Sequence, residues 1–376
     1  MASIEFQSSF KKINQKEWND LTKSNPFLKI QFFQSLEESN SIGEGTGWHP
    51  FPVIVTHEEK LIGASPLFLK EHSYGEYVFD WSWAEAYQKY GESYYPKIVS
   101  CIPFTPASGP RIFGIDASIK KNIVSQIEAL AYKNKMSSTH ILFCEESAQS
   151  LYLDSKWMLR EGVQFKWHNK NYKNFEEFLS QLSHDKRKKI KQERKKIQDL
   201  GLKIKKIRGS EIVESDLDFF YTFYCNTYQE HHSHPYLTRI FFSLIRESMP
   251  ENILLILAYE ANIPVAGSFF IYDDKNLYGR YWGSKSFYPG LHFELSYYQG
   301  HEFCIENEIA TFEGGAQGEH KLARGFEPFN TFSFHRIFDE RFEHAIKDFL
   351  SREKNGIDKY TNELNERAPY KTDFNL

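Results

Sequence analysis

The sequence predicts an α/β protein in which two domains with mixed sheets repeat the same design. Two stretches read as strand, turn, strand in nearly the same order, VIVTHEEKLIGASPLFL (53–69) and LILAYEANIPVAGSFFI (255–271). At a constant offset of 203 they align without a gap, and the small residues 63–65 fall on 266–268. Apolar, β-rich runs around a short turn are typical of hairpins, and a repeat at a fixed offset indicates duplication. We therefore predict two domains, residues 1–165 and 166–376.

Each half continues with the same kinds of element. In the first half, the strand YPKIVSCIPF is followed by the loop TPASGPR, a helix over about 118–136 and the strand THILFC. In the second half, NLYGRYWGS is followed by SFYPG, the helix LHFELSYYQGHEFCIENE, the strand ATFEGG, a glycine-rich loop and the strand FNTFSFHRI. Helical and strand periodicities alternate, and turn residues separate them. Both halves therefore read as mixed α/β.

Two helices are predicted between the halves. Asn174 and Glu177 form a capping-box pair for the helix FEEFLSQL. Ser183 and Gly201 bound a second, basic helix over 183–200, HDKRKKIKQERKKIQDL. Only a narrow apolar stripe of this basic helix is available for packing.

Positive charge is concentrated in and just after the basic helix. Twelve of the 46 Lys and Arg residues lie within 186–208, where only Glu193 and Asp199 oppose them, although the whole chain has a net charge of −4. Such a cluster is either a solvated helix face or a binding site for phosphates. We take Lys188, Lys191 and Lys195 as the candidate polyanion-binding residues.

Composition excludes several classes of protein. With 376 residues and 41% hydrophobic content the chain can bury large cores. No apolar segment of signal-peptide type occurs in the first twenty residues, and the run 253–258 is too short to span a bilayer, so we expect a cytoplasmic protein. The four cysteines show no CxxC spacing, and EHHSHP (230–235) lacks a tetrahedral ligand pattern, so we expect neither a disulfide framework nor a metal site.

The glycine-rich loop EGGAQGEHKLARGF (313–326) is the main candidate for chemistry. Its candidate catalytic residues are Glu319, His320, Lys321 and Arg324, and its candidate substrate-binding residues are Gly314, Gly315 and Gly318. The glycines let backbone amides approach a ligand closely. Lys321 and Arg324 suit a phosphate or a developing oxyanion, and either Glu319 or His320 suits the removal of a proton from an attacking amine. The alternative is a structural loop whose charges pair internally.

Six further residues are candidates for binding substrate: Asp80, Arg280, Trp282, Gly290, His292 and Glu294. Arg280 and Trp282 end a predicted strand, where Arg280 suits a clamp and Trp282 suits either a clamp or the core. Gly290 precedes the first turn of a helix, where backbone amides attract anions, and His292 there has a catalytic or a capping role. Asp80 lies in the aromatic-rich stretch 74–95, which suits a sugar or peptide wall or else a core.

Several long motifs, in order, resemble one bacterial family. They are HSYGEYVFDWSWAEAYQKYG, YYPKIVSCIPFTPASGPR, HPYLTRIFF, GRYWGS, LHFELSYYQG and FEGGAQGEHKLARGFEP. Over about residues 3–372 the chain resembles the FemAB-like family of peptidoglycan biosynthesis or recognition, within the GNAT acyltransferase superfamily. The lysine ahead of a Gly-Phe pair in the loop loosely resembles a lysine signature of Fem-type enzymes.

The resemblance implies a tandem pair of GNAT-like acyl-CoA N-acyltransferase domains. Fem-type enzymes move an aminoacyl group from charged tRNA to an amine of a cell-wall precursor, whereas ordinary GNAT enzymes use acetyl-CoA. It thus implies an acyltransferase with aminoacyl-tRNA or acyl-CoA as co-substrate, no bound cofactor, a muropeptide-like amine acceptor, and tRNA as a partner of the basic helix. SKSFYPGLH offers only half of the GNAT pyrophosphate loop pattern, which disfavours acetyl-CoA. The rival hypothesis is a non-catalytic module that recognises a peptidoglycan precursor, RNA or a protein.

Overall fold

The computed structural model describes residues 2–23, 25–152, 156–315 and 318–371. Contacts within the chain define two compact units. Unit 1 comprises Met1–Val163 and Asn330–Tyr360, and unit 2 comprises Gln164–Phe329 and Thr361–Leu376. No helix within the described ranges is both long and apolar enough to cross a membrane.

The first part of the chain builds most of unit 1. Its elements are β1 (Ser3–Phe6), α1 (Gln15–Thr22), α2 (Ile30–Glu38), β2 (Trp48–Pro50), β3 (Val53–His57), β4 (Lys60–Ser65), β5 (Leu67–Lys70), α3 (Trp81–Lys89), β6 (Lys97–Ser100), β7 (Phe113–Gly114), α4 (Ala117–Lys133), β8 (Ser138–Cys144) and β9 (Met158–His168), which leads into unit 2. One sheet has the order β1-β3-β4-β7, and β8, β6, β5 and β2 are neighbours in that order in a second. Asp116 caps α4 by accepting from the Ile119 amide, and the helix buries Ile123 and Ile127 in the core.

The remaining elements build unit 2 and then return to unit 1. They are α5 (Phe175–Gln181), α6 (His184–Asp199), β10 (Lys203–Arg208), α7 (Glu214–Glu230), α8 (Arg239–Ser248), β11 (Ile253–Glu260), β12 (Ile263–Tyr272), β13 (Asn276–Ser284), α9 (Leu291–Phe293), α10 (Gln299–Glu306), β14 (Thr311–Glu313), β15 (Glu327–Ile337) and α11 (Glu340–Glu366). The unit 2 sheet has the order β10-β11-β12-β13-β14-β9. A π-helical turn, Glu294–Tyr298, joins α9 to α10.

The units differ from the predicted domains because the chain crosses back. The predicted ranges 1–165 and 166–376 are each continuous, whereas residues 330–360 lie in unit 1. Within that segment β15 pairs with β8, for example through His335 and His140. Helix α11 buries Phe342 and Ile346 in a cluster with Trp83. These contacts give the segment its place in unit 1.

The repeated hairpins have the same backbone design in both units. Val53 pairs with Ser65 in unit 1, and Ile256 pairs with Ser268 in unit 2, which are the same positions at offset 203. The offset holds for five successive pairs, and the register shifts at the same point, after Val55 and after Ala258. Both two-residue turns, 58–59 and 261–262, have positive φ at both residues. The duplication seen in the sequence is therefore a duplication of structure.

Candidate active site

A pocket opens in unit 2 where two parallel strands separate. Strands β13 and β14 pair only through residues 276–278 and 311–313. Beyond these pairs lies a pocket of about 90 Å³, whose lining includes the predicted residues Arg280, Trp282, His292 and Gly314. The sequence placed Arg280 and Trp282 on one strand, His292 on a helix and Gly314 in the loop, and the structure brings these three elements together at the pocket.

Arg280 occupies a bulge in the strand that forms one wall of the pocket. Phe269 pairs with Tyr281 and Phe270 pairs with Gly279, so Arg280 has no residue opposite it in β12. A bulge re-aims a side chain relative to the regular strand and is common beside functional sites. The Arg280 guanidinium lies 5.0 Å from the centre of the Tyr281 ring.

His292 contributes to the opposite wall from the start of the helical segment after β13. Its ring lies 5.1 Å from the Trp282 ring and 5.5 Å from the Tyr297 ring. Burial, reinforced by the neighbouring His320 and Arg324, lowers the pKa of His292 to about 4. The imidazole is therefore neutral at physiological pH. Gly290, predicted to bind substrate, caps this segment at φ 86°, a conformation that favours glycine.

Glu294 lies away from this pocket, in an ion pair with the basic helix. Its carboxylate is only 3% exposed and accepts from Arg194 of α6 at 3.0 and 3.2 Å. Gln299 donates to the same carboxylate. Glu294, predicted to bind substrate, thus fixes α6 against the π-helical turn. The local sequence did not reveal this ion pair because Arg194 is 100 residues away.

Lys321 is a deeply buried charged residue of the glycine-rich loop, of which Ala316 and Gln317 lie outside the described residues. Lys321 is 2% exposed, and its Nζ donates to the Gly315 carbonyl at 2.8 Å. Its aliphatic part runs beside Gly314, where an added Cβ would lie 3.2 Å from Cδ and Cε. Burial lowers the pKa of Lys321 to about 7. The amine is therefore near its protonation midpoint at neutral pH, and an anion beside it would favour the ammonium form.

His320 joins the loop to the pocket wall. Its Nε2 lies 2.9 Å from the hydroxyl of Tyr297, a lining residue that the sequence did not single out. Partial desolvation, with Lys321 and Arg324 nearby, lowers the pKa of His320 to about 4. Gly318 has φ 100°, and a Cβ there would meet the His320 ring at 2.5 Å. Glycine at this position leaves room for the ring.

Arg324 and Glu319 hold the loop in place through ion pairs. Arg324 is 2% exposed, binds Glu193 of α6 at 2.9 and 3.0 Å, and donates to the His320 carbonyl at 2.7 Å. Glu319 accepts from Arg367 at 2.7 Å, where both side chains are exposed. The charges of these two residues are therefore paired with Glu193 and Arg367, which lie outside the loop. His320 and Lys321 are the two nearest to the pocket wall.

The corresponding position in unit 1 is filled by its own chain. At offset 203 the pair Phe270–Gly279 corresponds to Leu67–Ser100, and Gly267–Gly283 corresponds to Ala64–Phe113. Unit 2 has three residues between these pairs, 280–282, whereas unit 1 has twelve, 101–112. That insertion is mostly buried, and Arg111 anchors it by donating to the Ala107, Gly109 and Pro110 carbonyls.

Asp80 belongs to a buried polar cluster of unit 1. It is 2% exposed and accepts hydrogen bonds from Lys97 and from the Tyr94 hydroxyl. Lys97 also donates to Glu76 at 2.9 Å. Burial raises the pKa of Glu76 to about 7, whereas Lys97 holds the pKa of Asp80 well below its usual range against the effect of burial. The candidate site of unit 2 and this cluster are therefore separate features.

The basic helix α6 presents a groove of about 330 Å³ on its surface. Lys188, Lys191 and Lys195 line it, together with Arg187. All three predicted lysines are exposed, and Lys191 pairs with Glu176 at 2.6 Å. Of the predicted apolar stripe Ile190, Ile197 and Leu200, the two isoleucines are buried on the inner side, whereas Leu200 is exposed.

A family model described as peptidoglycan biosynthesis/recognition, the FemAB-like model, matches residues 9–372. The chain belongs to the FemAB-like family. No curated protein matches the sequence significantly.

Solved structures similar to this FemAB-like protein include FemX and two proteins named for lysylphosphatidylglycerol synthesis. FemX has 12% identity, covers 91% of this chain and 100% of its own, and gives a TM-score of 0.54. The C-terminal domain of a putative lysylphosphatidylglycerol synthetase from Agrobacterium fabrum has 10% identity, coverage of 89% and 94%, and a TM-score of 0.52. L-PGS from Bacillus licheniformis has 11% identity, coverage of 87% and 96%, and a TM-score of 0.52.

At these identities the structural likeness shows the fold alone. Together with the family and the repeated hairpin, it confirms the predicted tandem GNAT-like α/β fold of this FemAB-like protein. The roles of the individual site residues stay predictions. Among the residues that the structure describes, no group of three or more His, Cys, Asp or Glu side chains is placed to hold a metal ion.

Proposed function

We propose that this FemAB-like protein is an aminoacyltransferase that moves an aminoacyl group from charged tRNA to an amine of a peptidoglycan precursor. The observation that carries the proposal is the pocket between β13 and β14, with the buried Lys321 beside Gly314 in its wall. The family's connection with peptidoglycan supports the acceptor class. Unit 1 has a buried insertion at the equivalent position, so we assign the reaction to unit 2.

The choice of donor rests on the loop before α9 and on the basic helix. The segment 284–292 contributes Gly290 but lacks the glycine pattern that holds the pyrophosphate of acyl-CoA in GNAT enzymes. The groove on α6 instead offers a row of cations that suits the phosphates of a polynucleotide. Aminoacyl-tRNA is therefore the donor we favour over acyl-CoA.

The reaction requires an amine to attack the ester carbonyl of the donor. The new C–N bond forms, the C–O bond to the tRNA ribose breaks, the amine loses a proton to a base, and the ribose oxygen gains one. Of the two candidate bases, His320 hydrogen-bonds to Tyr297 in the pocket wall, whereas Glu319 is paired with Arg367. We assign proton removal to His320 and stabilisation of the oxyanion to the Lys321 ammonium.

A transfer assay with competing donors tests this proposal. The purified protein is incubated with a mixture of charged tRNAs or with acyl-CoAs, in each case with nucleotide-linked muropeptides, and the acceptors are analysed by mass spectrometry. We expect the acceptor to gain the mass of one aminoacyl residue with tRNA as donor. Transfer from acyl-CoA alone would overturn the assignment of charged tRNA as the donor. Tight binding of the acceptor without any transfer would favour the recognition module.

The pH dependence of kcat/KM should reflect the protonation of both His320 and Lys321. Because a base acts when it is deprotonated, the rate should rise through about pH 4, the pKa of His320. Because the Lys321 cation acts when it is protonated, the rate should fall above about pH 7, the pKa of Lys321. His320→Ala should remove the acidic limb, and Lys321→Met should remove the fall. Because the acceptor amine titrates identically in all variants, the ratio to wild type isolates the enzyme groups. An unchanged ratio across this range would contradict both assignments.

Binding of tRNA through α6 should depend steeply on salt. If several phosphates are contacted, affinity should fall by orders of magnitude between about 50 and 200 mM salt. Charge reversal at Lys188, Lys191 and Lys195 should weaken binding at low salt and flatten the salt dependence, as measured by filter binding. Reversal of Lys120, Lys121 and Lys133 on α4 provides a matched control with the same change in net charge. Equal losses of tRNA affinity in both variants would show that binding depends only on the overall charge of the protein.

A further inference from the structure

Three apolar side chains are exposed at one end of unit 2. Phe287 is 88% exposed, Ile263 is 57% exposed and Leu200 is 47% exposed. Exposed apolar residues are ordinary when scattered singly, but a group of them indicates a surface that meets an apolar partner.

Two contacts bring the segments that carry these residues together. The Tyr288 hydroxyl, next to Phe287, donates to Glu260 at the start of the turn that leads to Ile263, at 3.2 Å. A Cβ on Gly290 would lie 3.8 Å from Ile197, one helical turn before Leu200. Loop 285–290, the hairpin turn and the end of α6 therefore form one edge of unit 2, which we call the apolar-basic edge.

Lysines surround this edge. Lys196 lies one turn before Leu200 on α6, Lys203 pairs with Tyr259 near the hairpin turn, and Lys285 begins the loop that carries Phe287. Lys205 lies over the Tyr259 ring at 4.9 Å. All four lysines are exposed, against the carboxylates of Asp199 and Glu260. Apolar side chains surrounded by lysines complement an anionic lipid surface, because the apolar side chains enter the interface while the ammonium groups stay among the headgroups.

The duplicate in unit 1 shows that this edge is not a requirement of the fold. The hairpin positions equivalent to Ala261, Asn262 and Ile263 are Glu58, Glu59 and Lys60. The loop equivalent to the one that carries Phe287 is four residues shorter, since α4 begins three residues after Gly114 whereas α9 begins seven after Ser284. Ile115, 66% exposed, lies in that shorter loop beside Asp116. Unit 1 thus has an acidic edge where unit 2 has an apolar and basic one.

We infer that the apolar-basic edge of unit 2 docks on an anionic phospholipid surface. Phe287, Ile263 and Leu200 enter the interface, and Lys196, Lys203, Lys205 and Lys285 contact phosphate headgroups. The inference does not rest on acyl transfer, since it concerns a surface outside the pocket. It brings the protein to a membrane surface by peripheral contact.

Co-sedimentation with lipid vesicles tests the inference on the full chain. The wild type should sediment with vesicles in which about a third of the lipid is phosphatidylglycerol, and much less with phosphatidylcholine alone. The double variant Leu200→Ser/Phe287→Ser should lose at least about tenfold in apparent affinity, because two apolar contacts are removed. Ile115→Ser in unit 1 is the matched control and should bind like the wild type.

Further variants distinguish lipid binding at this edge from binding at the tRNA groove and from the transfer reaction. The double variant Lys203→Glu/Lys285→Glu should weaken vesicle binding. The double variant Leu200→Ser/Phe287→Ser should still transfer to a soluble acceptor at the wild-type rate, and its circular dichroism spectrum should be unchanged. Unchanged vesicle binding by Leu200→Ser/Phe287→Ser would overturn the inference. Wild-type binding that does not depend on phosphatidylglycerol would also overturn it. Loss of vesicle binding only on reversal of Lys188, Lys191 and Lys195 would assign the contact to the polyanion groove instead.

Discussion

Replacing Lys321 by alanine should lower turnover at least roughly 100-fold, as the loss of one electrostatic donor to a developing oxyanion does in other enzymes. The Nζ lies on the Gly315 carbonyl beside the pocket wall, in a buried position where charge interactions are strong. Turnover is measured as transfer of the aminoacyl group to a muropeptide acceptor, and acceptor affinity is measured by calorimetry. We expect kcat to fall while acceptor affinity changes little.

Two controls separate chemistry from packing. Lys321→Met keeps most of the aliphatic chain beside Gly314 and should lose activity as strongly as the alanine variant. Lys275→Ala removes an exposed lysine of unit 2 and should leave turnover at the wild-type level. If Lys321→Met retains full catalysis, the chemistry lies outside the loop, and Arg280 and His292 become the first residues to test.

Replacing Lys97 by methionine should destabilise the protein by about 3–5 kcal/mol, because it leaves the Asp80 carboxylate buried without its cation. Lys97 is fully buried and donates to Glu76, to Asp80 and to the Ser73 hydroxyl. The loss is measured as the shift of the urea denaturation midpoint followed by circular dichroism, with separate transitions fitted where two are seen.

A second substitution shows whether the loss comes from the uncompensated charge. Lys97→Met/Asp80→Asn should recover part of the stability, because the amide carries no charge to bury. Lys121→Met on the exposed side of α4 should change the free energy of unfolding by less than about 0.5 kcal/mol. A single Lys97→Met variant as stable as the wild type would show that the buried Asp80 does not need Lys97 as its cation.

Local patterns in the sequence specify much of this fold. The basic helix, expected over 183–200, is α6 at His184–Asp199, and Gly201 ends it with φ 69°. Asn174 caps α5 by accepting from the Glu177 amide. The repeated hairpins could be aligned because alternation and turn residues are local signals. Features set by a few neighbouring residues were therefore predictable.

Long-range pairing accounts for what the sequence did not reveal. The segment FNTFSFHRI reads as a strand, yet nothing local indicates that its residues 332–337 pair with β8, some 190 residues earlier. Glu294 lies in the first turn after Gly290, as expected, but its partner Arg194 comes from another helix. Tyr297 was missed at the site because an aromatic residue on a helix is typical of a core.

Photolabelling tests most directly whether aminoacyl transfer takes place in the unit 2 pocket. A non-hydrolysable aminoacyl-RNA mimic with a photoreactive group on its aminoacyl side chain is bound, irradiated and competed with unlabelled charged tRNA, and the labelled peptides are sequenced. We expect saturable labelling within residues 279–282 or 292–297, the two walls formed by β13 and by the helical segment that follows it. Saturable labelling confined to unit 1, or none that charged tRNA displaces, would contradict it.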